Sequence, residues 1–227
     1  MFAVIFEVQP DPDQWETYLA HAKILRPELE QIDGFVDNIR YRSLTRDGWI
    51  LSLSGWRDEK ALIRWRTRAN HHDMQQKGRG GVLLDYDLRV GEVAQDSHLP
   101  PGQSLRAQRL DETEVGAGTA VTLIAATRAP AWVAASDPQA VAAALGFPPD
   151  GSGAVRWDVF DAMLFPGQVV VLATWRDRPA AEAFEAAVAL PDGARLRRIR
   201  VIREYGMFDR REAPQYYPAV TRVRSGA

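Results

Sequence analysis

Two adjacent imidazoles, His71 and His72, are the residues of this chain best suited to proton chemistry. An imidazole with an ordinary pKa near 6.5 is largely free base at neutral pH, so either ring, facing a cavity, could accept a proton from a phenolic or anthrone-like substrate. The electron-rich carbanion left behind could react with dioxygen directly, which calls for no metal or flavin. The plainer reading is a solvated pair after a helix on a charged stretch. Trp15, Tyr18 and Trp65 could wall a pocket for a planar substrate, although their helical spacings suit core packing equally. Asn38, Arg40 and Tyr41, with Asp85 and Tyr86 further along, offer polar contacts from strands whose alternation leaves open which of them face inward.

Other chemistries are excluded or disfavoured by composition. The chain has no cysteine, which removes disulfides, thiolate metal sites, iron–sulfur clusters and cysteine nucleophiles. Twenty-eight basic against thirty acidic residues give a formal charge of -2, so neither nucleic acid nor an anionic membrane is an expected partner. No Gly-rich phosphate loop follows a strand into a helix, and residues 77–81 read as a flexible turn or gate. No cluster has metal-site spacing. His21 falls on the apolar face of the first helix, as a core or cavity-lining residue, and His98 falls in a linker. The basic run Arg195, Arg197, Arg198, Arg200 and Arg203 is interleaved with apolar residues, as in a strand with one wet face. The first apolar stretch is too short for a signal peptide or a membrane span, and a cytoplasmic protein is the simplest expectation.

The elements that must position these residues follow from periodicity. Strands are expected over 2–8, 35–44, 49–56 and 82–93, a helix from Asp13 to about Ile32 that Pro27 kinks or divides into two pieces, and a second helix capped by Asp58. Residues 71–76 read as a turn or a short continuation. This is the order β-α-β-β-α-β. After a linker carrying one short ordered piece at 105–110, the order restarts with strands over 120–126, 153–164, 168–175 and 195–205 and helices from Pro138 and Pro179. The repeat is also literal, because Trp56-Arg57-Asp58 recurs as Trp175-Arg176-Asp177 at the same strand-to-helix junction. The second copy lacks the histidine and glycine segment.

Each such unit covers one sheet face with helices and leaves the other bare. The expected fold class is therefore α+β, two tandem ferredoxin-like units packed sheet to sheet as a pseudo-dimeric α/β barrel. The expected divisions are a first domain 1–95, a linker 96–118, a reduced second domain 119–206 and an aromatic tail 207–227 that wraps the body or meets a second chain.

These elements, the Trp-Arg-Asp junctions, the Asn70-His71-His72 segment and the closing Tyr86-Asp87-Leu88-Arg89-Val90 strand together resemble the antibiotic biosynthesis monooxygenase family. The resemblance implies a ferredoxin-like fold that pairs as a dimeric barrel, and a histidine near the second helix facing a cavity. It implies catalytic roles for His71 or His72, substrate contacts from Trp15, Tyr18, Trp65, Asn38 and Tyr86, and a small-molecule substrate oxidised without a cofactor. A non-catalytic ligand or haem binder and a related isomerase or decarboxylase stand as alternatives, with homodimerisation left open. Haem-degrading relatives pair a helix tryptophan with a histidine ten residues later and an asparagine on the first strand. Here Trp65 is followed at that distance by Gln75, and the first strand has no asparagine.

Overall fold

The computed structural model describes residues 1–221. The first half contains β1 (Phe2–Pro10), α1 (Trp15–Glu30), β2 (Phe35–Ser43), β3 (Ile50–Trp56), α2 (Glu59–Arg66), α3 (Ala69–Lys77) and β4 (Leu83–Asp96). The second contains β5 (Ala120–Thr127), α4 (Pro130–Ala135), α5 (Pro138–Ala144), β6 (Arg156–Ala162), β7 (Gln168–Trp175), α6 (Arg178–Ala187) and β8 (Arg195–Gly206). Among the described residues no helix is long and apolar enough to cross a membrane.

The sheets face each other across a shared core and also pair along both edges. The strand order β1-β3-β2-β6-β7-β5-β8-β4 closes on itself as one antiparallel barrel. The β2–β6 seam is short, Tyr41 opposite Ala162 to Ser43 opposite Phe160, whereas the β4–β8 seam runs from Asp87 opposite Gly206 to Asp96 opposite Arg197. Strand alternation divides the apolar residues into layers. Ala3, Ile5, Leu51 and Leu53 from the first half meet Leu123, Phe160, Val170 and Leu172 from the second inside the barrel. Phe2, Val4 and Trp56 point the other way, under α1 and α2.

The repeated Trp-Arg-Asp motif has the same structural meaning in both halves. Trp56 and Trp175 are each 1% exposed, and each indole N–H donates to a hydroxyl on the sheet, Ser54 and Thr122 respectively, at 2.9 Å. Two residues on, Asp58 accepts from the Ala61 N–H at 2.8 Å and Asp177 from the Ala180 N–H at 3.0 Å, capping α2 and α6. The motif thus buries a tryptophan under the helix that its own aspartate starts.

The structure differs from the local expectations at five points. α1 runs through Pro27 to Glu30 as one helix, so Pro27 does not divide it. The segment 71–76, expected to be a turn or a short continuation, is inside a separate helix, α3, which has no fully buried residue, so the apolar stripe that reveals a helix in sequence is missing. α4 was not expected, and residues 105–110 form no helix or strand. Finally, the turn at 77–81 is anchored: Gly78 is buried and Arg79 is 6% exposed. Of the tail, 207–221 lies against the first half, and 222–227 falls outside the described residues.

Candidate active site

A cavity of about 220 Å³ lies between the outer face of the first-half sheet and α1, α2 and α3. β1 supplies Val4 and Phe6, β2 supplies Asn38 and Arg40, and β4 supplies Tyr86, Leu88 and Val90. The corresponding space in the second half is filled, Phe147 and Trp175 in the buried core packing against the partly buried Trp157 and Phe184.

Of the residues expected at a site, His71, Tyr18, Trp65, Asn38 and Tyr86 come together on this wall. His71 stacks on Trp65 with ring centroids 4.3 Å apart, and its Nδ1 lies 3.2 Å from the Trp65 carbonyl oxygen. A carbonyl can only accept, so Nδ1 carries the proton and Nε2 keeps its lone pair. Burial pushes the His71 pKa down to about 4. The residue keeps some exposed area because it borders the cavity, yet protein surrounds its ring, and that enclosure governs desolvation. Asn38 donates to Ser52 Oγ at 2.9 Å. Burial raises the Tyr18 pKa, an effect partly offset by Arg40.

His72 and Trp15 sit elsewhere. His72 Nδ1 is 3.0 Å from the Tyr217 hydroxyl, with the two rings stacked, and does not border the cavity. Trp15 packs against Tyr18 at 6.1 Å, behind the wall. Of the further polar candidates, Tyr41 points into the barrel, on the opposite face of β2 from Arg40. His21 lines the cavity, its pKa lowered by burial and by Lys77.

Sequence reasoning underrated the arginines and the tail. Five arginines line the cavity, Arg26, Arg40, Arg66, Arg79 and Arg210, together with no aspartate or glutamate. Arg26 pairs with Glu30 at 2.7 Å. The other four make no ion pair among the described residues. Arg79 donates to Tyr86 Oη at 3.0 Å and to the carbonyls of Met207 and Pro218 at 2.9 and 3.1 Å, all neutral acceptors. Arg210 donates to the same Tyr86 oxygen at 2.7 Å and to the Gln215 carbonyl at 2.8 Å. Its guanidinium lies 5.2 Å from the Tyr205 ring and 5.4 Å from that of Tyr217, within cation–π range. Burial lowers the pKa of Arg66, whose buried Nε has no partner. The tail is tied over α3, Tyr217 Oη donating to Gln75 Oε1 at 2.8 Å. The aromatic composition of the tail was the signal that it would find cover. No local pattern announced the arginines, because Arg66, Arg79 and Arg210 lie far apart in the chain.

Two ferredoxin-like units closed into one barrel, with a cavity under the helices of the first, define an α/β-barrel protein. A family model for antibiotic biosynthesis monooxygenases matches residues 1–77. The chain is 48% identical over 223 residues to the jasmonate monooxygenase ABM of Pyricularia oryzae, covering 96% of this chain and 99% of that protein. Among solved structures, an aldoxime dehydratase superposes with a TM-score of 0.52 at 13% identity, over 88% of this chain and 80% of that one. An antibiotic biosynthesis monooxygenase superposes with a TM-score of 0.37 at 14% identity, over 44% of this chain and all of that one. The chain belongs to the antibiotic biosynthesis monooxygenase family.

The cavity is small for the haem alternative. At about 220 Å³ it falls below the roughly 300–1,000 Å³ of pockets that take drug-sized ligands, and a porphyrin is larger than most of those.

Proposed function

We propose that the first-half cavity is the active site of a monooxygenase that oxidises a small, largely apolar compound bearing negative charge, without a bound cofactor. The carrying observation is the wall itself, apolar surface with four arginines unpaired to any acid and no carboxylate. Arg79 is buried and Arg40, Arg66 and Arg210 are half-buried; a desolvated cation without a counterion is costly, and an anionic substrate or intermediate relieves that cost. The name of the Pyricularia oryzae relative points the same way, since jasmonate is a small apolar carboxylate.

In this reading His71 is the proton acceptor through Nε2, and His72 holds the tail closed. A base with a conjugate-acid pKa near 4 is weak. Removing a proton from an acid of pKa 10 would then be uphill by roughly 8 kcal/mol. The substrate must therefore be an activated C–H acid, and the arginines must stabilise the anion as it forms. That anion passes electrons to dioxygen. An activated methylene plus O₂ gives a carbonyl plus water, with the substrate supplying every electron. Tyr18, Trp65, Asn38 and Tyr86 shape and orient the bound compound, and Trp15 supports Tyr18 from behind.

An oxygen electrode tests this with activated methylene compounds, with and without a carboxylate, and with jasmonate. Oxygen consumption that His71→Gln abolishes supports the assignment. Consumption unchanged in that variant, or none with any compound of the panel, overturns it.

A further inference from the structure

A second pocket, of about 190 Å³, opens at one end of the barrel lumen, on the opposite face of β2 from the cavity described above. Consecutive residues of β2 serve the two spaces: Asn38 and Arg40 line the outer cavity, whereas Asp37, Ile39 and Tyr41 line the inner pocket. Its floor is apolar, formed by Ile39, Leu53 and Ala125.

Two polar side chains on its wall are buried and have no partner. Arg197 is 6% exposed, forms no side-chain hydrogen bond or ion pair among the described residues, and has a buried Nε left unsatisfied. Tyr41 is 2% exposed, and its hydroxyl likewise meets no partner among the described residues. Burial pushes the tyrosine up to about 12, so it stays a neutral O–H donor. Of the other charges at this end, Arg195 and Asp96 are paired with each other. Arg195 holds Asp96 through two hydrogen bonds, at 2.8 and 2.6 Å, which occupies both carboxylate oxygens. Asp37 borders the pocket, contributes at a distance to the field on Arg197 and makes no ion pair with it.

An unpaired guanidinium and an unpaired phenol, both buried at one small pocket, are two donors that no acceptor among the described residues meets. Of their polar atoms Arg197 Nε is sealed from water without a partner, and such a group costs free energy until an acceptor reaches the guanidinium. A carboxylate is that partner, because its two oxygens accept from guanidinium and phenol together. Asp37 is an acceptor at the same pocket and suits a hydroxyl. We propose that the barrel end is a binding site for a small hydroxycarboxylate, its carboxylate on Arg197 and Tyr41 and its hydroxyl donating to Asp37. The site does not depend on the chemistry proposed for the outer cavity.

Calorimetric titration and thermal melts of the full chain with glycolate, lactate and acetate test this. Glycolate or lactate is expected to bind saturably and raise Tm, with acetate weaker by about tenfold for want of the hydroxyl. Arg197→Met should abolish the effect. Tyr41→Phe, which removes a single oxygen from the core, should weaken binding by about tenfold or more and keeps the test alive if the arginine variant does not fold. No saturable binding at tens of millimolar, acetate binding as tightly as glycolate, or equal affinities in wild type and Tyr41→Phe would overturn the proposal.

Discussion

Substituting His71 by glutamine keeps a polar side chain of similar reach and removes a titration, and the consequence can be worked out in size and sign. In the folded chain His71 titrates near 4, against about 6.5 in the unfolded chain. Between those values the unfolded state binds the proton and the folded state does not, so stability rises with pH across the window. The contribution is fully present above 6.5 and is lost as pH falls toward 4. Integrated from pH 7 down to pH 5, the two pKa values give a loss of roughly 2 kcal/mol from this residue alone. Urea unfolding of wild type and His71→Gln at both pH values isolates that amount, because every other titrating group cancels in the double difference. The wild type should lose about 2 kcal/mol more than the variant. Equal losses would refute the enclosure of the ring and with it the reason for calling His71 neutral and weakly basic. The same depression places the acid limb of any His71-dependent activity near pH 4 and not near 6.5, which a pH–rate profile reads independently.

Two further outcomes follow from side chains at the cavity's cover and at the far end of the barrel. Tyr217→Phe removes the hydrogen bond to Gln75 and the contact with His72, and should cost about 1–2 kcal/mol while raising KM, because the tail loses its tie to α3. An unchanged KM would mean that the tail does not cover the substrate. Glu204 is raised to about 7 by burial and then by the nearby charge of Asp87. It keeps a proton that the unfolded chain releases above about 4.5, so its contribution falls as pH rises from there through 7. Glu204→Gln should therefore gain roughly 2 kcal/mol on wild type between pH 5 and pH 8, and parallel pH–stability curves would count against that assignment.

Much of the architecture was legible along the chain because it is written in local periodicity. Two-residue alternation marked the strands, the helical stripe marked α1 and α2, and the recurrence of Trp-Arg-Asp declared the duplication, since burying a tryptophan and capping a helix are tasks of neighbouring residues. The same logic called for a partner over the bare sheet face. α3 escaped because a helix that roofs a cavity needs no apolar stripe. What only the tertiary structure could decide was membership of the cavity wall. His71 and His72 are adjacent and chemically identical, yet one stacks on Trp65 at the wall and the other meets the tail, a matter of helix phase set by packing. Arg66, Arg79 and Arg210 carry no signal in their own surroundings, and their convergence around one space, with every acid kept away from it, exists only once the barrel has closed and residues 205–217 have folded back over it. Periodicity encodes which face of an element is buried; the electrostatic character of a cavity is a sum over distant segments, and only folding performs that sum.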